Sequence, residues 1–211
     1  MTPNSASPPS AARRRFAALS TGLLALGLLA GCGSEPARPS GAWIGLPPEE
    51  LLAEIRAAGE PLPGELDVQP LRDPMVDDLI AQAGQAVAQG RTNDAAIALD
   101  KALAITPEDP ALLQMRAEVA VLQRDLPRAG ALAQRAYDLG AKVGPLCRRE
   151  MMTVRQWIAQ RQGELVRYAE RNALKGDKLA AWERDSGALV EALNQVQARQ
   201  QACTVTGPPR Y

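Results

Sequence analysis

The chain has 211 residues, with 24 basic and 24 acidic side chains and no histidine. The balanced charge offers no electrostatic footprint for nucleic acid, and the lack of histidine excludes Ser-His-Asp and Cys-His catalysis and His-ligated zinc. Aromatic residues make up only 3% of the chain, so the core must be aliphatic and alanine-rich, which favours close-packed helices over a β-sandwich.

The N-terminal segment has the three parts of an export signal. A polar stretch is followed by Arg13–Arg15 and by an apolar run over Phe16–Leu28. This run is too short to span a bilayer and is typical of a secretory signal, so residues 1–31 are predicted to be a cleaved signal peptide. The arginines also resemble the core of a twin-arginine signal, so both the Sec and the Tat export routes stay open. The 180 residues that follow carry 21 basic and 24 acidic side chains.

The signal ends in Leu29-Ala30-Gly31-Cys32, which resembles the lipobox of bacterial lipoproteins. In that family, a branched apolar residue and two small residues precede a cysteine whose sulfur takes the lipid. The resemblance implies that Cys32 is a lipidated N-terminus, and its several acyl chains, palmitate among them, would anchor the protein stably. Gly33 stands where an aspartate would retain a lipoprotein at the inner membrane, which implies the periplasmic face of the outer membrane.

Residues 32–75 are predicted to form a tether that carries the domain away from the membrane. Eight prolines between residues 33 and 74 argue against a long helix or a central strand. Within the tether, residues 48–59 predict a short amphipathic helix. Pro48 suits its first turn, two glutamates suit its positive N-terminal dipole, and Gly59 suits its C-terminus.

The apolar stripe of this short helix permits two interpretations. It consists of Leu51, Leu52 and Ile55, and the segment 43–46 before it is also largely apolar. Either these residues form a docking peptide for a partner, or they fold back on the domain. We favour the second interpretation.

Residues 76–143 contain a pattern that repeats after 34 residues. Ala95, Leu99, Ala102 and Pro107 have the spacing of the second half of a tetratricopeptide (TPR) repeat, a helix–turn–helix unit, and this resemblance divides the segment into repeats at 76–109 and 110–143. Small or apolar residues recur at the other helix-crossing positions of the two repeats: Leu79, Ala83, Ala86, Leu113, Ala117, Ala120, Ala129, Ala133 and Ala136. The second repeat departs from the pattern at Arg124, in place of the turn glycine, and at Ala141, in place of the last proline.

TPR domains bind peptides on a concave surface lined by the first helix of each repeat. Carried over position by position, the resemblance implies a partner-binding groove made of Ile80, Gly84, Val87, Gln114, Glu118 and Val121, extended by Arg148, Met152 and Arg155. The lysine and asparagine that capture a C-terminal carboxylate in some members are absent at these positions. A mixed apolar and polar groove suits an extended or helical segment of another envelope protein.

Residues 144–203 are predicted to be an antiparallel helical hairpin that caps the repeats, followed by a tail at 204–211. Apolar positions alternate at spacings of three and four, and they come into register when the chain is folded back at Lys175. This register places Cys147 beside Cys203, and in an oxidising compartment such a pair predicts a disulfide.

The complete expectation is an all-α lipoprotein with two TPR repeats and a disulfide-closed coiled-coil hairpin. No constellation of catalytic, metal-binding or cofactor-binding residues is evident, so we expect a non-enzymatic periplasmic adaptor, held in the membrane by its lipid, that docks another envelope protein. The alternative is a structural module that self-associates through its coiled-coil hairpin, with a homo-oligomer as the result. The identity of the partner stays open.

Overall fold

A computed structural model describes residues 46–63, 65 and 71–204. The predicted signal peptide, the lipidation of Cys32, the first part of the tether and most of the C-terminal tail lie outside these residues. The described part is all-helical, as expected. Its seven helices are α1 (Pro48–Ala58), α2 (Pro74–Ala88), α3 (Thr92–Ile105), α4 (Pro110–Leu122), α5 (Leu126–Leu139), α6 (Gly144–Asn172) and α7 (Asp177–Ala202).

Consecutive helices from α2 to α7 pack on one another along the chain. Proline occupies the first turn of α1, α2, α4, α5 and α6, where its missing N–H costs no hydrogen bond. Asp73, Asp109 and Asp125 each accept backbone N–H groups at the start of the helix that follows them. The chain therefore marks most of its helix starts with local signals.

The turns inside the α2–α3 and α4–α5 pairs have the same geometry. Gly90 and Arg124 are both left-handed, with φ angles of 71° and 61°. In each turn the next residue donates its N–H to a carbonyl five positions earlier, from Arg91 to Ala86 at 2.8 Å and from Asp125 to Ala120 at 2.9 Å. Arg124 thus adopts the backbone conformation that glycine adopts in the first pair.

Small residues occupy the places where these helices cross. Alanines of α2–α5 form the centre of the core, and all of the following are buried: Ala83, Ala86, Ala95, Ala102, Ala117, Ala120, Ala129, Ala133 and Ala136. Gly130 serves the same purpose between α5 and α6, because a Cβ atom there would lie 2.4 Å from the Trp157 ring. The low aromatic content is therefore matched by closely approaching helices.

The predicted disulfide between Cys147 and Cys203 is present. It joins the first turn of α6 to the residue that follows α7, with a Cα–Cα distance of 5.6 Å, and both residues are fully buried. Farther along the pair, the Trp182 indole donates a hydrogen bond to the Leu165 carbonyl at 3.0 Å. The disulfide lies in a core cluster with Met151, Val154, Ile158 and Val196, and Leu189 and Leu193 pack against it.

Candidate functional site

The short helix α1 packs against α4 and α6, so its apolar stripe folds back on the domain. Leu51 and Ile55 join a buried cluster with Val121 and Leu126. The buried Gln156 side chain on α6 also donates to the Leu51 carbonyl at 3.0 Å. The surface of α4 and α6 that α1 covers is called the α1 site below.

Glu118 is the charged centre of the α1 site. Its carboxylate is almost fully buried and accepts hydrogen bonds from Arg56 of α1 at 3.1 Å and from the Arg149 Nε of α6 at 3.0 Å. The Gln114 side chain donates to it as well, at 3.2 Å, and also to the Thr153 hydroxyl at 3.0 Å. A buried carboxylate with two guanidinium partners is compensated, so these contacts join α1, α4 and α6.

The segment after α1 is held by Arg148. Its guanidinium donates to both carboxylate oxygens of Glu65, at 2.6 and 2.7 Å, and to the backbone carbonyls of Ala58 and Glu60, at 3.0 and 2.9 Å. The hydrogen bonds from Arg148 and, secondarily, from the Leu62 backbone N–H lower the pKa of Glu65 to about 2. These four residues and Arg148 form the Arg148 clamp, which fastens the connection between α1 and α2 to α6.

Gly59 explains why α1 ends so close to α6. The sequence suggests a C-terminal glycine for conformational reasons, but its φ angle of −96° lies in the ordinary region. A Cβ atom at this position would instead lie 2.2 Å from Cγ of Arg149. The glycine is therefore required by close approach, since any side chain would push Arg149 away from Glu118.

Glu65→Gln is expected to loosen α1 without unfolding the helical body. The substitution removes the charge that the bidentate Arg148 contact needs, so the last turn of α1 loses its fastening. We expect faster tryptic cleavage after Arg56 in limited proteolysis of the full chain. Glu183→Gln, which changes an exposed acid on α7, is the control and should leave the cleavage rate at Arg56 unchanged.

If Glu65→Gln is cleaved no faster than the control, the apolar contacts of α1 alone hold it in place. Acid provides an independent check. Because the folded-state pKa of Glu65 is lowered, its contribution is present above the ordinary value near 4.5 and is lost as the pH falls toward about 2.

An open apolar groove lies between α1 and α2. Its volume is about 690 Å³, within the range of ligand pockets. Its lining is mostly apolar and comes from α1, α2, α3 and α4, and includes Leu52, Ile80, Ala83, Gly84, Val87, Ala88, Leu99, Met115, Val119 and Leu122. Arg56, Glu60, Glu118 and Arg149 also border it. This α1–α2 groove is the candidate functional site.

The structure divides the predicted groove residues into two sets. Ile80, Gly84 and Val87 line the α1–α2 groove together, as a shared surface requires. Four others are buried within the domain at or beside the α1 site, which the sequence alone did not indicate: Gln114, Glu118, Val121 and Arg148. Of these, Glu118 also reaches the edge of the groove.

Met152 and Arg155 are only partly exposed on α6, and neither lines the α1–α2 groove. Met152 packs against the apolar cluster beneath α1. The expectation of one continuous open surface over both repeats and α6 is therefore wrong for the α4–α6 half. The physical reason is that the apolar stripe of α1 finds its own apolar surface there.

Sequence reasoning missed the contribution of α1 and α4 to the groove wall. Leu52, Met115 and Leu122 line it, and none was expected to. Leu52 belongs to the stripe that was recognised, but its neighbours follow from where α1 packs. Met115 and Leu122 lie one position beyond Gln114 and Val121, on the side of α4 that faces α2.

Glu150 is a second unusual acid, remote from the groove lining. Its side chain is fully buried, and neither carboxylate oxygen has a hydrogen-bond partner among the described residues. Burial raises the pKa of Glu150 to about 8, against the opposing charges of Lys142 and Arg149. A buried carboxyl of this kind destabilises the fold when it ionises.

Within the described ranges, no group of three or more Cys, Asp or Glu residues is arranged to hold a metal ion. No helix there is long and apolar enough to cross a membrane. Comparison of the chain with protein-family models, with curated proteins and with solved structures gave no match.

Proposed function

We propose that this chain is a non-enzymatic adaptor lipoprotein that docks another cell-envelope protein through the α1–α2 groove. Its lipidated Cys32 would hold it at the periplasmic face of the outer membrane. The observation that carries the proposal is the open apolar groove, because it lies on the surface that the repeat pattern predicts for binding. Exposed apolar surface of this extent is typical of interaction sites.

Two features support the further proposal that α2–α5 are TPR repeats. The left-handed residues Gly90 and Arg124 are 34 positions apart and end the first helix of each pair with the same hydrogen bonds. The small residues of the pattern are buried at both levels of the repeat. We likewise interpret α6 and α7 as an antiparallel coiled coil that caps the second repeat, supported by the disulfide and the Trp182 hydrogen bond.

Photocrosslinking in cells tests the adaptor function. The full lipidated chain would carry a photoreactive residue at Gly84 or Ala88, both exposed at the groove, or at Gly187, which is exposed on α7. We expect one envelope protein, identified by mass spectrometry, to be captured from both groove positions and not from position 187. The expectation follows because a docked segment would lie against both residues.

Capture of the same proteins from all three positions would contradict a specific groove. Crosslinks to the chain itself alone would favour the alternative of self-assembly. That alternative has its own surface, since Val166, Tyr168, Leu179 and Val190 of the α6–α7 pair are exposed apolar residues.

A further inference from the structure

The α1 site shows what the concave surface of this domain binds. An amphipathic helix of 11 residues lies there against α4 and α6, with Leu51, Leu52 and Ile55 buried. On the proposed function, α2 is related to α4 by 34 residues, and α4 is related to α6 in the same way. Ile80, Gly84 and Val87 therefore stand where Gln114, Glu118 and Val121 stand in the α1 site.

The α1–α2 groove is thus the equivalent position one repeat earlier, between α2 and α4. We propose that this groove binds an amphipathic α-helix of a partner protein, which lies beside α1 on the same concave surface. The inference rests on the proposed function and adds to it the class of ligand. It is carried by continuity, since Leu52 has its side chain at the boundary of both positions.

Backbone hydrogen bonding favours a helix over an extended peptide. The floor of the groove is formed by α2 and α4, whose backbone groups are engaged within the helices. An extended peptide would find few partners there for its own N–H and C=O groups, and leaving them unpaired is costly. A helix satisfies its backbone internally and needs only an apolar face.

The wall formed by α2 permits close approach. Ala83, Gly84 and Ala88 line it, and a Cβ atom at Gly84 would meet nothing within 4 Å. Small residues of this kind already let the helices of the core cross closely in this domain. A visiting helix can therefore reach Ile80 and Val87 with its apolar side chains.

The charges at the edge do not call for a charged ligand. Glu118 is already compensated by Arg56 and by Arg149, the second through Nε at 3.0 Å. The apolar face of the occupant then supplies the affinity, and its polar face points to solvent. The expected sequence pattern is the one that α1 itself has, with neighbouring leucines and a further apolar residue one turn on.

The test uses the full chain in lipid nanodiscs and a defined probe. The probe is a fluorescein-labelled, hydrocarbon-stapled helical peptide with the sequence of residues 47–60, followed by fluorescence anisotropy. Gly84→Trp fills the groove at a position where a side chain has space, and Gly187→Trp makes the same change at an equally open helical position on α7. Both variants should keep their helicity and melting temperature.

We expect the peptide to bind the parent chain and Gly187→Trp alike, and Gly84→Trp at least about tenfold more weakly. The unstapled peptide with Ala53→Pro, which cannot form the helix, should also lose at least about tenfold in affinity. Binding that ignores Gly84→Trp would overturn the proposal, since the peptide would then be replacing α1 in its own site. Equal binding of the Ala53→Pro peptide would overturn the helical ligand.

Palmitate serves as the competitor that separates a lipid from a helix. Displacement of the peptide by palmitate, together with Gly84-dependent palmitate binding, would assign the groove to an acyl chain and overturn the inference. The two proposals fail separately. A partner crosslinked from Gly84 and Ala88 without peptide binding would refute only the helical ligand, whereas peptide binding without any crosslinked partner would refute the adaptor function.

Discussion

Replacing Cys147 and Cys203 together by alanine is expected to lower the free energy of unfolding by about 4 kcal/mol. The disulfide spans 56 positions of sequence, and in the chain-entropy model a closure of that length restricts the unfolded chain by about this amount. It also joins the ends of the α6–α7 pair at the cluster that holds Met151 and Val196. Urea unfolding of the full chain, followed by circular dichroism, measures the loss.

Reduction of the parent chain is the control for the alanine substitutions. It should lower the stability by a similar amount, because it opens the same loop without changing the packing of the side chains. Alkylation under denaturing conditions should find neither thiol free before reduction. A loss below about 1 kcal/mol in both experiments would mean that helix packing alone holds α6 and α7 together.

Glu150→Gln is expected to raise the free energy of unfolding by about 3 kcal/mol at pH 7. Burial raises the pKa of this carboxyl to about 8 in the folded protein, whereas its ordinary value is 4.5. The folded state therefore retains a proton that the unfolded state releases. Glutamine has nearly the same shape and remains neutral, so it avoids this cost.

The sign of the pH dependence follows from the raised pKa. The parent chain should be most stable near pH 4.5 as far as Glu150 is concerned, and should lose stability as the pH rises toward about 8. The difference between Glu150→Gln and the parent should therefore be small at pH 5 and largest near pH 8. Glu183→Gln, an exposed change, should show no such trend. A parent chain that gains stability over this interval relative to Glu150→Gln would contradict the assignment and indicate an ionised partner.

The helices could be predicted because their signals are local. Pro48 and Gly59 bound the helix α1 to within one residue of the structure. The 34-residue pattern anticipates α2–α5, and the alternation of apolar positions predicts the meeting of Cys147 and Cys203. Such patterns depend on helical periodicity and on turn chemistry, which neighbouring residues determine among themselves.

The site was harder to predict because charged residues have no periodic signature of their role. Arg148, Arg149 and Glu150 are consecutive, and a run of this kind usually indicates a solvated helix face. In the structure Arg148 holds Glu65, Arg149 holds Glu118, and Glu150 is buried without a hydrogen-bond partner among the described residues. Three adjacent side chains point in different directions around one helix, so each meets a different part of the fold.

The amino-acid sequence by itself determined the number of helices in the described region, most of their limits, the alanine-rich core and the pairing of the two cysteines. Only the tertiary structure decided that α1 covers the α4–α6 half of the concave surface and leaves the α2–α4 half open. The reason is that this choice depends on contacts between residues far apart in sequence, such as Arg56 with Glu118 and Gln156 with Leu51. Their free energy depends on the shape of the assembled surface, which no local pattern encodes.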